Sequence, residues 1–161
     1  MDVIKRKHFV FVIHEKYFAI ELDKVERVFM SQEITKVGKG PEYYEGIINI
    51  HGSVYPVLNF RKLCGLPEKD LDLNDKFILC DTGFLRCIII ADECLEIISL
   101  DDSELLKSAD SAKAFEIVNI VSLKNYVVLI YDLQKIIDQK DILSITQIVE
   151  SIQKGSDVAS N

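Results

Sequence analysis

A chain of 161 residues, 48% of them apolar, is long enough for one domain or for two small units around a shared core. A formal charge of −7 argues against nucleic acid as a partner, because phosphate binding needs clustered Lys and Arg and the only dense basic run is Lys5-Arg6-Lys7. No apolar run approaches the ~18 residues of a membrane span, and no small-residue cleavage site follows the first apolar stretch, so a cytoplasmic protein without direct membrane insertion is expected.

In chain order, the basic run reads as a solvated arm. Phe9 to Ile13 is an apolar, β-branched strand, His14-Glu15-Lys16 a turn, and Tyr17 to Leu22 a second strand. Leu22, Val25 and Val28 then recur three apart, interleaved with Asp23, Lys24, Glu26 and Arg27. The charges put this segment at the surface. Its apolar stripe is either a short amphipathic turn packed on its own domain or an exposed patch rimmed by charge, the usual anatomy of a protein-binding site. Ile34 to Val37 reads as a short third strand.

Gly46 to Ile50 and Ser53 to Leu58 form a hairpin around His51-Gly52, where Gly takes a positive φ at no steric cost. Pro56 has no N–H, so its strand must lie at an edge or bulge there. Asn59 caps a short helix, Phe60 to Cys64, which Gly65 stops. Lys76 to Cys80 and Phe84 to Ile90 flank the turn Asp81-Thr82-Gly83. Leu95 to Leu100 is a further strand, and Phe115 to Ser122 and Tyr126 to Tyr131 flank Lys124-Asn125. Asp132 caps a turn over Leu133 to Asp138. Last comes a helix over Ser144 to Lys154, with Ser144 and Gln147 as a capping box and Ile145, Ile148, Val149 and Ile152 on one face. That face is expected to pack on its own domain. Gly155 ends the helix, and residues 155–161 form a disordered tail.

Many short strands with short links predict an all-β, mainly β protein built as small barrels or a sandwich. The chain also echoes itself. Tyr17 to Val28 resembles Arg86 to Ile97 at an offset of 69, and Val57 to Leu63 resembles Ile130 to Ile136 at an offset of 73. Two similar five-stranded units follow from that pattern.

Little chemistry stands out. There is no GxSxG, P-loop or GxGxxG, and His8 and His14 have no nucleophile or carboxylate at a telling spacing, so no catalytic residue is assigned. Cys64, Cys80, Cys87 and Cys94 form no CxxC pair and read as reduced thiols; no metal and no cofactor is expected. Asp101, Asp102 and Glu104 read as an exposed loop or helix start.

FVFVIHEKYFAIELDKVERV, then EIT, then PEYYEGIINIHGSVYPVLNFRKLCGLP resemble the first half of CheW-type chemotaxis coupling proteins. Pro41, Tyr44, Gly46, Asn49, Gly52, Pro56, Val57 and Arg61 stand at matching places. IIIADECLEIISL and VVLIYDLQKII extend the resemblance to about residue 140. The resemblance implies a single domain of two five-stranded SH3-like β-barrels, approximately 8–67 and 75–140, with the C-terminal helix 144–154 and the tail appended. It implies a non-enzymatic adaptor that bridges the cytoplasmic tip of chemoreceptors to the regulatory domain of a CheA-type histidine kinase. It places a kinase-binding patch at Phe9, Leu22, Val25 and Val28, and a receptor-binding region at Arg27, Gly46, Asn49, His51 and Gly52. His51 stands where the family has Arg, and Arg27 where members often carry Glu. A CheW-like scaffold for a non-chemotactic or pilus-motility kinase, or a ligand-binding β-barrel, are the alternatives.

Overall fold

The computed structural model describes residues 5–101, 103, 117–123 and 125–159. Among the described residues ten strands form two five-stranded sheets, the mainly β architecture expected. They are β1 (Lys5–Ile13), β2 (Lys16–Glu21), β3 (Val25–Met30), β4 (Tyr44–Ile50), β5 (Ser53–Leu58), β6 (Lys76–Asp81), β7 (Arg86–Ala91), β8 (Glu93–Asp101), β9 (Ile117–Ser122) and β10 (Val127–Tyr131). Three helices have bounds among the described residues, α1 (Phe60–Cys64), α2 (Leu133–Ile136) and α3 (Gln139–Ala159), and a 3-10 turn covers Leu22–Lys24.

The first sheet runs β8-β1-β2-β10-β9 and the second β3-β6-β7-β5-β4. Neither is a contiguous half of the chain, so the division into 8–67 and 75–140 does not follow the sheets. Hairpin β1–β2 joins β8, β9 and β10, while hairpin β6–β7 joins β3, β4 and β5. Each half of the repeat lends its first two strands to the other half's last three. The strand orders correspond position by position, and each sheet holds one parallel pair, β2 with β10 and β5 with β7.

The lent hairpins explain the continuous apolar runs. In β1, Phe11 and Ile13 face a core between the sheets while Val10 faces the interior of the first sheet. In β6 and β7, Ile78, Cys80, Ile89 and Ala91 join the shared core, while Phe77, Leu79 and Ile88 fill the second interior. Strands covered on both faces lose the polar alternation of a half-buried strand. Phe60, the first residue of α1, plugs the shared core, with its ring centroid 5.2 Å from Phe18, 5.3 Å from Tyr131 and 5.8 Å from Phe11. Leu133, its equivalent at the offset of 73, enters the same core from α2.

Several expectations need correction. Lys5-Arg6-Lys7 is no arm: these residues extend β1 and pair with Asp101, Leu100 and Ser99 of β8. His8 is buried within β1. Residues 34–37 form no strand, only a bridge from Thr35 to Ile47, while the segment read as either an amphipathic turn or an exposed patch becomes β3 after its 3-10 start. Helix α3 starts at Gln139, because Asp138 accepts the Lys140 N–H at 3.2 Å; Ser144 lies inside it, and it runs through Gly155 to Ala159. Of the expected tail, Ser160 and Asn161 lie outside the described residues, as do Phe115 and Glu116 of the strand read from Phe115, and Asp102 and Glu104 of the acidic cluster. Ile145 of α3 is fully buried with Leu58, Leu85 and Cys87, so the helix packs on its own domain as expected.

Candidate functional site

The β4–β5 turn is built from two residues in the left-handed region, His51 (φ 51°) and Gly52 (φ 91°). Such a two-residue turn matches the twist of the flanking strands, but a residue with a Cβ is strained there. The Asn49 Oδ1 accepts the Gly52 N–H at 2.9 Å and steadies the turn from within. From outside, the Gln153 side chain of α3 accepts the Val54 N–H at 2.8 Å and donates to the Gly52 carbonyl at 2.9 Å. Asn49, His51 and Gly52 are exposed; His51 stands on the turn and not in a cleft.

Gly46 has a different part. It is buried with φ 139°, and a Cβ there would lie 2.3 Å from the Thr35 carbonyl oxygen. It lets the 31–43 segment approach β4 and presents nothing to a partner, so its assignment to the receptor region is corrected to a structural one. Arg27 is exposed on β3, at the opposite edge of the sheet order from β4, with its guanidinium 5.8 Å from the Phe29 ring centroid. It therefore does not share the hairpin.

The second surface is an apolar rim on the two edge strands β3 and β8. Phe9 and Val25 are half-buried against the shared core, and Leu22 is half-buried in the 3-10 turn. Of the two readings of the stripe, Val25 thus follows the packed one. The exposed members are Val28 at 40% and Met30 at 52% on β3, with Ile97 at 54% and Leu95 at 43% on β8. Val28 lies opposite Ile78 and Ile97 opposite Phe9, so both stand on the face turned to the shared core.

A charged cluster ties the sheets together behind these surfaces. The buried Arg61 guanidinium donates to both Asp92 carboxylate oxygens, at 2.9 and 2.7 Å, and to the Pro67 carbonyl at 2.9 Å. Asp92 also accepts the His14 N–H at 2.8 Å, reaching from the β7–β8 link to the β1–β2 turn. Burial alone would raise the Asp92 carboxyl, but the His14 N–H and the Arg61 guanidinium hold it below the usual carboxylate range. Lys69 sits 2.6 Å from the buried Asp75 and 3.7 Å from Asp92.

The four cysteines are unbonded. Burial pushes the thiols of Cys64 and Cys94 up to about 11 and that of Cys87 to about 12, which suppresses the reactive thiolate. Among the described residues no group of three His, Cys, Asp or Glu could hold a metal ion, and no helix is long and apolar enough to cross a membrane.

Residues 7–141 match the CheW-like domain. The chain belongs to the CheW-like domain family. It is 27% identical over 137 residues to the chemotaxis protein CheW of Bacillus subtilis, covering 83% of this chain and 88% of that one. It is 25% identical over 130 residues to CheW of Thermotoga maritima, covering 80% and 85%. Its fold is shared with the crystal structure of the scaffolding protein TtCheW from Thermoanaerobacter tengcongensis, at a TM-score of 0.76, 22% identity and coverage of 86% of this chain and 97% of that one.

In this CheW-like domain three surface residues escaped the reading of the sequence: Met30, Leu95 and Ile97. The signal for one of them was present, since the offset of 69 maps Val28 onto Ile97 and Val25 onto Cys94. Arg61 and Asp92 both lie in the family-like segments, yet nothing in their spacing of 31 residues says that they meet.

Proposed function

We propose that this CheW-like domain protein is a non-enzymatic, cytoplasmic chemotaxis adaptor that couples chemoreceptors to a CheA-type histidine kinase. The observation that carries this reading is the family match over residues 7–141, within which the segments holding the exposed turn and the β3 rim fall. The kinase regulatory domain docks on the apolar rim, with Val28 exposed and Phe9, Leu22 and Val25 supporting it from beneath. Desolvating such a patch drives association without any reacting group. The receptor tip meets the turn formed by Asn49, His51 and Gly52, and Arg27 contributes from the separate β3 edge. His51 in place of Arg offers no bidentate fork, so its receptor contact relies less on carboxylate pairing than an Arg contact would.

The test uses the full chain with a soluble receptor cytoplasmic fragment and an isolated CheA-type regulatory domain. Binary titrations should show saturable binding to each. Adding all three should give one assembly in which kinase autophosphorylation responds to the receptor fragment. Absence of binding to both partners overturns the proposal.

A further inference from the structure

We propose that Gln153 makes helix α3 a positioning element for the β4–β5 turn, so that docking of the C-terminal helix sets how well this turn binds its receptor. Resting on the receptor assignment of that turn, the proposal draws on three features of the hairpin.

The first is a gap in the sheet. Strand β5 pairs with β4 along its whole length, but with β7 only at Val57 and Leu58. Residues 53–56 therefore present a local edge. By the two-residue alternation of a strand, Val54 and Pro56 direct the same side of the backbone away from β4. Pro56 has no N–H to offer, which leaves the Val54 N–H as the donor on that side. Val54 is itself buried, so a donor without a partner there is costly.

The second is the partner supplied. The Gln153 amide accepts from Val54 at 2.8 Å and donates to the Gly52 carbonyl at 2.9 Å. One planar amide thus replaces the acceptor and the donor of a missing strand. No other type of side chain of this length offers both roles on one rigid plane.

The third is strain. His51 holds φ 51° although it carries a Cβ, and strained residues persist only where their surroundings over-determine them. Asn49 supplies one restraint and Gln153 the other. Removing the second leaves the turn free to sample other geometries, and a binding partner then has to order it again. Receptor binding and helix docking are coupled reciprocally as a result: each stabilises the other.

The experiment compares full-length Gln153→Ala, Gln153→Glu, His51→Asp and, as a control, Gln147→Ala, whose side chain is exposed on the same helix. Each variant is first melted to establish folding. Amide hydrogen exchange at Val54 and titrations with the receptor fragment and the kinase regulatory domain follow. Gln153→Ala should raise exchange at Val54 at least tenfold and weaken receptor binding about fivefold, with kinase binding unchanged. Gln153→Glu keeps the acceptor but loses the donor, so it should fall between Gln153→Ala and the unaltered protein. Gln147→Ala should behave as the unaltered protein. If His51→Asp weakens receptor binding but Gln153→Ala does not, the positioning role is overturned and the receptor assignment stands. If His51→Asp has no effect on receptor binding, the assignment of the turn is overturned and the positioning role with it. Equal losses of receptor and kinase binding in Gln153→Ala would mark a general structural role and also overturn the proposal.

Discussion

Two valines three residues apart carry opposite expectations. Val28 is 40% exposed, so Val28→Asp should change stability by no more than about 0.5 kcal/mol. Binding to the kinase regulatory domain should weaken by about 2 kcal/mol, roughly 30-fold, because the carboxylate is desolvated without a partner. Val25 packs against the shared core, so Val25→Asp should instead lower the melting temperature sharply; a melt and a titration on each variant separate the two. The Arg61–Asp92 pair makes a third residue-scale prediction. Asp92 titrates below its ordinary ~3.9, so the stability it contributes is fully present above about pH 4 and is lost as pH falls through the depressed folded value. Asp92→Asn leaves the buried Arg61 without its anion and should cost about 3 kcal/mol near neutral pH. The gap in denaturation midpoint between the two proteins should close as the solution is acidified.

At the scale of elements, α3 is where the sequence and the structure part most instructively. The apolar spacing of Ile145, Ile148, Val149 and Ile152 reads as a helix face, and Ile145 is indeed fully buried. The start was misplaced because Ser144 and Gln147 satisfy a local capping pattern, while Asp138 offers the first available cap one turn and more upstream. Ile145→Ala should therefore cost about 3 kcal/mol, a loss readable by chemical denaturation. The hairpins were legible for a simpler reason: turn residues and strand residues lie side by side in sequence. The β3 edge was not, since Leu22, Val25 and Val28 imitate a helical spacing across a 3-10 turn and a bulge between Val25 and Arg27. Of the candidate site, Asn49, His51 and Gly52 stand exposed on a turn whose residues are adjacent in sequence, whereas Gly46 turns inward because its role depends on Thr35, a neighbour that only the folded chain supplies.

The exchange of hairpins between the two sheets governs the molecule as a whole. Internal similarity in the sequence announces two units but says nothing about which strands pair, since both arrangements bury the same faces. A fragment of residues 1–74 lacks β6 to β10 and so keeps parts of both sheets but neither one complete. It should show no cooperative unfolding, and neither should residues 75–161. Mixing the two should restore a single transition in a melt. A fragment that folds alone would contradict the interlocked arrangement. The same exchange sets the order of events during synthesis. Hairpin β1–β2 leaves the ribosome before the other strands of the two sheets, with apolar side chains on both faces, yet its neighbours in the sheet are β8 and β10, at residues 93–101 and 127–131. The second sheet can close as soon as β7 emerges, while the first must wait for nearly the whole chain. The nascent domain therefore carries an uncovered two-faced hairpin until β10 has emerged, and its demand for chaperone protection falls on residues 5–21, the stretch that also holds Phe9 of the kinase-facing rim.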